Sequence, residues 1–234
     1  MARRRRPGYP RDMARFARVV APGLPHHVTQ RGNRRQQTFF RPADYRLYRA
    51  LMAECCQRWD VEVWAYCLMP NHVHLIAVPK TAAALGRAVG EAHRRYTRAI
   101  NRREGWRGHL WQDRFASFAM DETHLLAAAR YVELNPVRAR LRRRAQAHPW
   151  SSAVAHLAGR DDELVRVAPL LDLVPDWAAF LADGLDDEAA ETLRRHARTG
   201  RPLGAARFVK RLEKRLGRAL AKHKPGPKPR RPAA

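Results

Sequence analysis

Cysteine is scarce: three residues in 234, with Cys55 and Cys56 adjacent and Cys67 alone. An odd number without paired Cys-x-x-Cys spacing argues against a disulfide scaffold and a structural zinc site. Acidic side chains are also few, 22 Asp and Glu against 46 Lys and Arg, for a formal charge of +24. That balance excludes an acidic chain, and a 45% hydrophobic content excludes a disordered one. No run of about 18 apolar residues exists to cross a membrane, and Arg3–Arg6 is not followed by the apolar core of a signal peptide. An amphipathic N-terminal anchor with interfacial aromatics is missing too, which weighs against anionic membranes as the partner of this charge. The expected partner is nucleic acid, and the expected location is the cytoplasm, in association with the nucleoid.

The charge falls in blocks. Residues 160–192 carry ten acidic side chains against Arg160 and Arg166, whereas 194–231 carry fifteen basic ones against Glu213 alone. These shifts set off an acidic linker or helical segment (158–192) and a basic helical tail (193–234) from what precedes them, a basic extension (1–12) and a main domain (13–157).

Within the main domain, apolar periodicity alternates between strand and helix. His27–Gln30 reads as a strand followed by the turn Arg31-Gly32-Asn33, and Tyr45, Tyr48, Leu51, Met52 and Cys55 mark a helix over Ala43–Trp59. Val61–Leu68 and Val73–Val78 form a hairpin about Met69-Pro70-Asn71-His72. Thr81–Asn101 is a helix with an arginine-rich outer face, Leu110–Met120 a fourth strand, and Glu122–Leu134 a helix capped by Asp121. The order βαββαβ plus a helix is the split βαβ arrangement: an α+β, ferredoxin-like domain, its antiparallel sheet covered by helices on one face.

Two constellations carry chemistry. In His72-Val73-His74, strand alternation directs both imidazoles to one side, where they can bind a divalent cation; a pair of ordinary polar residues has the same spacing. In Tyr131-Val132-Glu133-Leu134-Asn135-Pro136, Tyr131 and Asn135 share one helix face. Tyr131 could equally be a core aromatic and Asn135 a helix terminator before proline. Glu133 lies about 200° around the helix from Tyr131 and is a weaker candidate.

Met69-Pro70-Asn71-His72-Val73-His74-Leu75, Leu110-Trp111-Gln112-Asp113-Arg114-Phe115 and Tyr131–Arg138, with Val28–Asn33 ahead of them, resemble the single-tyrosine HUH transposases, especially the REP-associated tyrosine transposases. The resemblance covers about Met13–Leu157. It implies that His72 and His74 hold magnesium or manganese, that Asn135 supplies a third, amide ligand, and that Tyr131 is the nucleophile. The implied substrate is single-stranded hairpin DNA, cut through a 5′-phosphotyrosine. Candidate DNA contacts are Arg31, Arg34 and Arg35 after the first strand, Arg94, Arg95 and Arg98 on the second helix, Arg114, and Lys210, Arg211, Lys214 and Arg215 in the tail. Whether a homodimer is needed stays open, because in some relatives a second subunit supplies the tyrosine helix.

Arg140 stands where the family pattern commonly has glycine. Beyond the resemblance, Phe208, Leu212, Leu216 and Leu220 recur every four residues after a turn holding Gly200, Pro202 and Gly204. That pattern fits a helix-turn-helix DNA reader or an ordinary helical hairpin on the core. Lys224–Arg231 is a basic arm suited to a DNA groove. Two other functions remain open: a non-catalytic binder of hairpin DNA or of RNA, stacking bases on Trp64 and Tyr66, and a metal-dependent phosphodiesterase using activated water.

Overall fold

The structure, a computed structural model, describes residues 17–221. The extension over 1–12 and the arm Lys224–Arg231 lie outside the described residues. From the N-terminus run β1 (His26–Arg31), α1 (Pro42–Arg58), β2 (Val61–Met69), β3 (His72–Pro79), α2 (Ala84–Glu104), β4 (Ala116–Ala119) and α3 (Glu122–Glu133). Local chemistry sets several boundaries. Pro42 opens α1, where Asp44 Oδ2 accepts the backbone N–H groups of Phe40 and Arg41 at 2.9 and 3.2 Å. Gly105, at φ +66°, closes α2. Asp121 caps α3 by accepting the His124 N–H.

Among the described residues, the four strands form one antiparallel sheet in the order β2-β3-β1-β4. This is the expected α+β, ferredoxin-like arrangement. Strand alternation divides the side chains between its faces. Val28, Leu68, Val73 and Leu75 turn toward α1 and α2, meeting Tyr48, Met52, Leu85, Val89 and Tyr96. Cys67, Met69, Ile76 and Phe118 turn the opposite way, toward Leu125, Ala128 and Val132 of α3. The cysteines are all buried and unbridged.

Three details differ from the sequence-based expectation, the first being that helices cover both faces of the sheet rather than one. The fourth strand is shorter than Leu110–Met120, because Asp113 takes φ +54° and the Gln30 amide ties down the carbonyls of Gln112 and Asp113, bending residues 110–115 into a loop. Base stacking on the sheet also has no surface to use. Tyr66 is fully buried against α1 and α2, and Trp64, at a bulge in β2, packs into the cluster on the other face.

The second face is covered because the chain after α3 folds back over it. α4 (Asn135–Arg138), α5 (Ala153–Leu157), α6 (Ala168–Leu171), α7 (Trp177–Ala182) and α8 (Asp187–Thr199) follow, and Leu170, Trp177, Phe180, Leu181 and Leu193 complete the cluster around α3. The 158–192 segment is thus acidic on its surface and apolar underneath. α9 (Ala206–Leu216) packs Phe208 and Leu212, with Leu220 beyond its end, on Val19, Ala21 and Ala119, as a helical hairpin on the core does. Returning segments also occupy both sheet edges. Ser151 and Val165 bridge to β2, and Leu203 bridges to Met120 beside β4, so neither edge offers a free ladder. Arg140 adopts φ +57°, the left-handed conformation that glycine takes most readily.

Trp177 is 2% exposed and its indole N–H is hydrogen bonded at 2.8 Å to Glu133, so Trp177→Ala opens a cavity and removes a buried donor. We expect a loss of about 3–5 kcal/mol in urea unfolding; a loss under about 1 kcal/mol would show that the cover is loosely attached.

Candidate active site

β3 begins at the Pro70–Asn71 turn, so His72 and His74 emerge at one end of the sheet on the face that α3 covers. Their rings lie 5.0 Å apart, nearly perpendicular. Each has a partner for Nδ1. Asn71 Oδ1 lies 2.6 Å from His72 Nδ1, and His27 Nε2 lies 2.9 Å from His74 Nδ1. Protons on both Nδ1 atoms put the lone pairs on the Nε2 atoms, the usual way neighbouring groups orient metal-binding histidines, and that of His74 faces the Asn135 amide. Burial drives the pKa values of His27 and His72 down to about 4 and that of His74 further, so the rings are neutral at pH 7.

α3 ends at Glu133, and a fresh turn starts at Asn135 under the influence of Pro136. Tyr131 and Asn135 nevertheless reach the same place. The Asn135 amide nitrogen lies 3.3 Å from His74 Nε2, and the Tyr131 ring stands edge-on to His74, 5.5 Å between centres at 89°. His27, stacked on His74 at 5.1 Å, also touches Tyr131. Sequence reasoning missed His27, although it sits one residue ahead of the Val28–Asn33 motif.

Tyr131 and His74 line a cleft of about 660 Å³ with Arg31, Arg35, Arg114, Arg194 and Arg198. The loop supplying Arg35 is constrained. A Cβ on Gly32 would come within 2.2 Å of the Gln36 carbonyl oxygen, and Arg34 and Arg35 both have positive φ. The last two cleft arginines come from α8, where sequence reasoning assigned no site residue. Arg194 stands beside the phenol of Tyr131, and its pKa is raised first by Glu191 and further by this contact. Nothing in the local sequence of α8 marks these arginines; only the folding back of the chain brings them to the tyrosine.

The other basic residues disperse. Arg94, Arg98 and Arg114 line a neighbouring groove of about 910 Å³ beside α2, which shares Gln30, Asp113 and Arg114 with the cleft. Arg95 does not face it: both its terminal nitrogens are bound to Glu54 of α1, at 2.7 and 2.8 Å. Arg34 is exposed outside the cleft. Lys210, Arg211 and Lys214 are exposed on α9, and Arg215 there donates to the Pro22 carbonyl.

Among the described residues, no group of three or more His, Cys, Asp or Glu is placed to hold a metal. Two neutral imidazoles and one amide are the side chains that would hold a cation here. They fit a cation that keeps open positions for water and phosphate, and carbonyl-type oxygen suits magnesium or manganese.

Residues 22–135 match the family described as "Transposase IS200 like", and over this stretch the chain is similar to that family. A solved structure described as a REP-associated tyrosine transposase bound to a REP hairpin shares the fold, with a TM-score of 0.55 and 21% identity over 64% of this chain and 90% of that one. A second, described as a "putative transposase" from Deinococcus radiodurans R1, is 21% identical over 51% of this chain and 95% of that one, at a TM-score of 0.37. No curated protein matches the sequence.

His27→Phe keeps an aromatic ring but removes the hydrogen bond to His74 Nδ1. Titration calorimetry with manganese, without DNA, should show affinity reduced about 10-fold or more; unchanged affinity would mean that His27 does not orient a cation ligand.

Proposed function

We propose that the protein cuts and rejoins single-stranded hairpin DNA, with Tyr131 as nucleophile and magnesium or manganese held by His72, His74 and Asn135. The observation that carries this reading is the edge-on placement of Tyr131 against His74 inside the arginine-lined cleft, within one chain. A buried tyrosine with only a packing role has no need of five arginines around it. The relative bound to a REP hairpin supports hairpin DNA as the substrate class.

In this mechanism Arg31, Arg35 and Arg114 attract the backbone and seat the scissile phosphate beside Tyr131. The phenolic oxygen forms a bond to phosphorus as the P–O3′ bond breaks. The phenolic proton passes to solvent, and the released 3′-oxygen takes one up. Arg194, a cation beside the phenol, favours the developing phenoxide character. The bound cation would supply Lewis-acid polarisation of the phosphate. The product is a 5′-phosphotyrosine and a free 3′-hydroxyl, which can attack the same linkage and restore a phosphodiester. Bond energy is conserved, so no ATP is needed. Such work would take place on the nucleoid.

Tyr131 reaches His74 of its own chain, and both sheet edges are occupied, so the cleft needs no second subunit to complete it. A homodimer is thus not required by this reading.

Purified protein, mixed with labelled single-stranded hairpins and manganese, should give an SDS-stable protein–DNA band that disappears with EDTA. Tyr131→Phe should abolish it, by at least about 10³-fold as expected for loss of a covalent nucleophile, while hairpin affinity stays within about threefold. Cleavage that survives in Tyr131→Phe would instead assign the chemistry to activated water.

A further inference from the structure

Phe40 and Trp106 are 38% and 44% exposed, whereas Phe39, next in the chain, is 1% exposed. Their rings meet edge to face, 5.6 Å apart at 81°, where the start of α1 lies beside the end of α2. The pair is held in place from below. Asp44 accepts the Phe40 N–H, the Trp106 N–H is bonded to the Asn101 carbonyl at 2.8 Å, and Arg103, gripped by Asp44, lies 5.8 Å from the Phe40 ring centre. Arg41, Arg102 and Arg107 are exposed around it.

Two rings are far too little for a protein interface, which typically buries about 800 Å² per partner. Fixed aromatic faces among cations are instead what single-stranded nucleic acids stack on, since every base has a π face and every nucleotide a charge. The position agrees with the cleft. Arg35 lines the cleft, and Asn71 holds the Arg35 carbonyl at 3.1 Å. The chain then crosses the Pro70–Asn71 turn through the Thr38 and Phe39 N–H groups, both bonded to the Pro70 carbonyl, to arrive at Phe40. Five residues span at most about 18 Å.

We propose that Phe40 and Trp106 form a docking platform for unpaired bases of the single strand flanking the hairpin, next to the catalytic cleft but separate from it. This rests on the reading of the cleft as a DNA site. The platform gives the protein a preference for hairpins with a single-stranded flank over the same hairpins with blunt ends, independently of metal and of Tyr131.

The test uses the full-length protein in EDTA, with fluorescence anisotropy of labelled hairpins and tryptophan emission as readouts. The wild type should bind the flanked hairpin more tightly than the blunt one, with quenched emission. Trp106→Ala and Phe40→Ala should each weaken binding of the flanked hairpin about tenfold and leave blunt-hairpin binding unchanged. Trp106→Phe should keep most of the affinity and lose most of the quenching. Equal affinity of the wild type for both hairpins, or a loss shared by both hairpins in the alanine variants, overturns the inference. Stacking as described in a protein that forms no Tyr131 adduct would sustain the platform while overturning strand transfer.

Discussion

The arrangement depends on one buried carboxylate. Glu133 is fully buried, and a charge there must be surrounded by donors. It has three: Ser152 Oγ at 2.5 Å, His156 Nδ1 at 2.7 Å and Trp177 Nε1 at 2.8 Å. Ser152 also accepts the Tyr66 N–H of β2. The network therefore fastens α3 to the sheet through Ser152 and to the returning chain through His156 and Trp177. Tyr131, two residues earlier on the same helix, turns outward toward the cleft. The side chain that anchors the helix and the one that faces the cleft thus lie on different sides of one short segment.

That anchoring explains how the cleft is built from parts distant in sequence. β1 gives His27 and Arg31, β3 gives the histidine pair, and α3 gives Tyr131. α8 closes the wall with Arg194 and Arg198, and its contacts with β1, β4 and α3 fix where those arginines stand. The cleft combines a positive field with neutral imidazoles. A polyanion is drawn in without the histidines adding to the charge. Among the described residues no helix is long and apolar enough to cross a membrane.

Much of this was legible in the sequence. Strand alternation in His72-Val73-His74 and the four-residue step from Tyr131 to Asn135 depend on local geometry, and local geometry survives folding. The βαββαβ order was legible for the same reason. The second cover was not: Trp177 and Phe180 lie among acidic residues, and short helices of four to six residues carry too few turns to show a period. Arg95 was indistinguishable from Arg94 and Arg98 in a run of arginines, since only the proximity of α1 gives it Glu54. Arg194 and His27 became visible only through contacts that no spacing encodes.

The central claim is that one chain holds a complete cleft because its own C-terminal cover fixes the tyrosine helix against the histidine strand. Mixing Tyr131→Phe with His72→Ala, each inactive alone, and assaying for SDS-stable hairpin adducts tests it most directly. The account predicts no recovery at any ratio, because neither chain offers a tyrosine to the other's histidines. Recovery of adduct in the mixture, carried on the His72→Ala chain, would contradict it by showing that the tyrosine helix is shared between subunits.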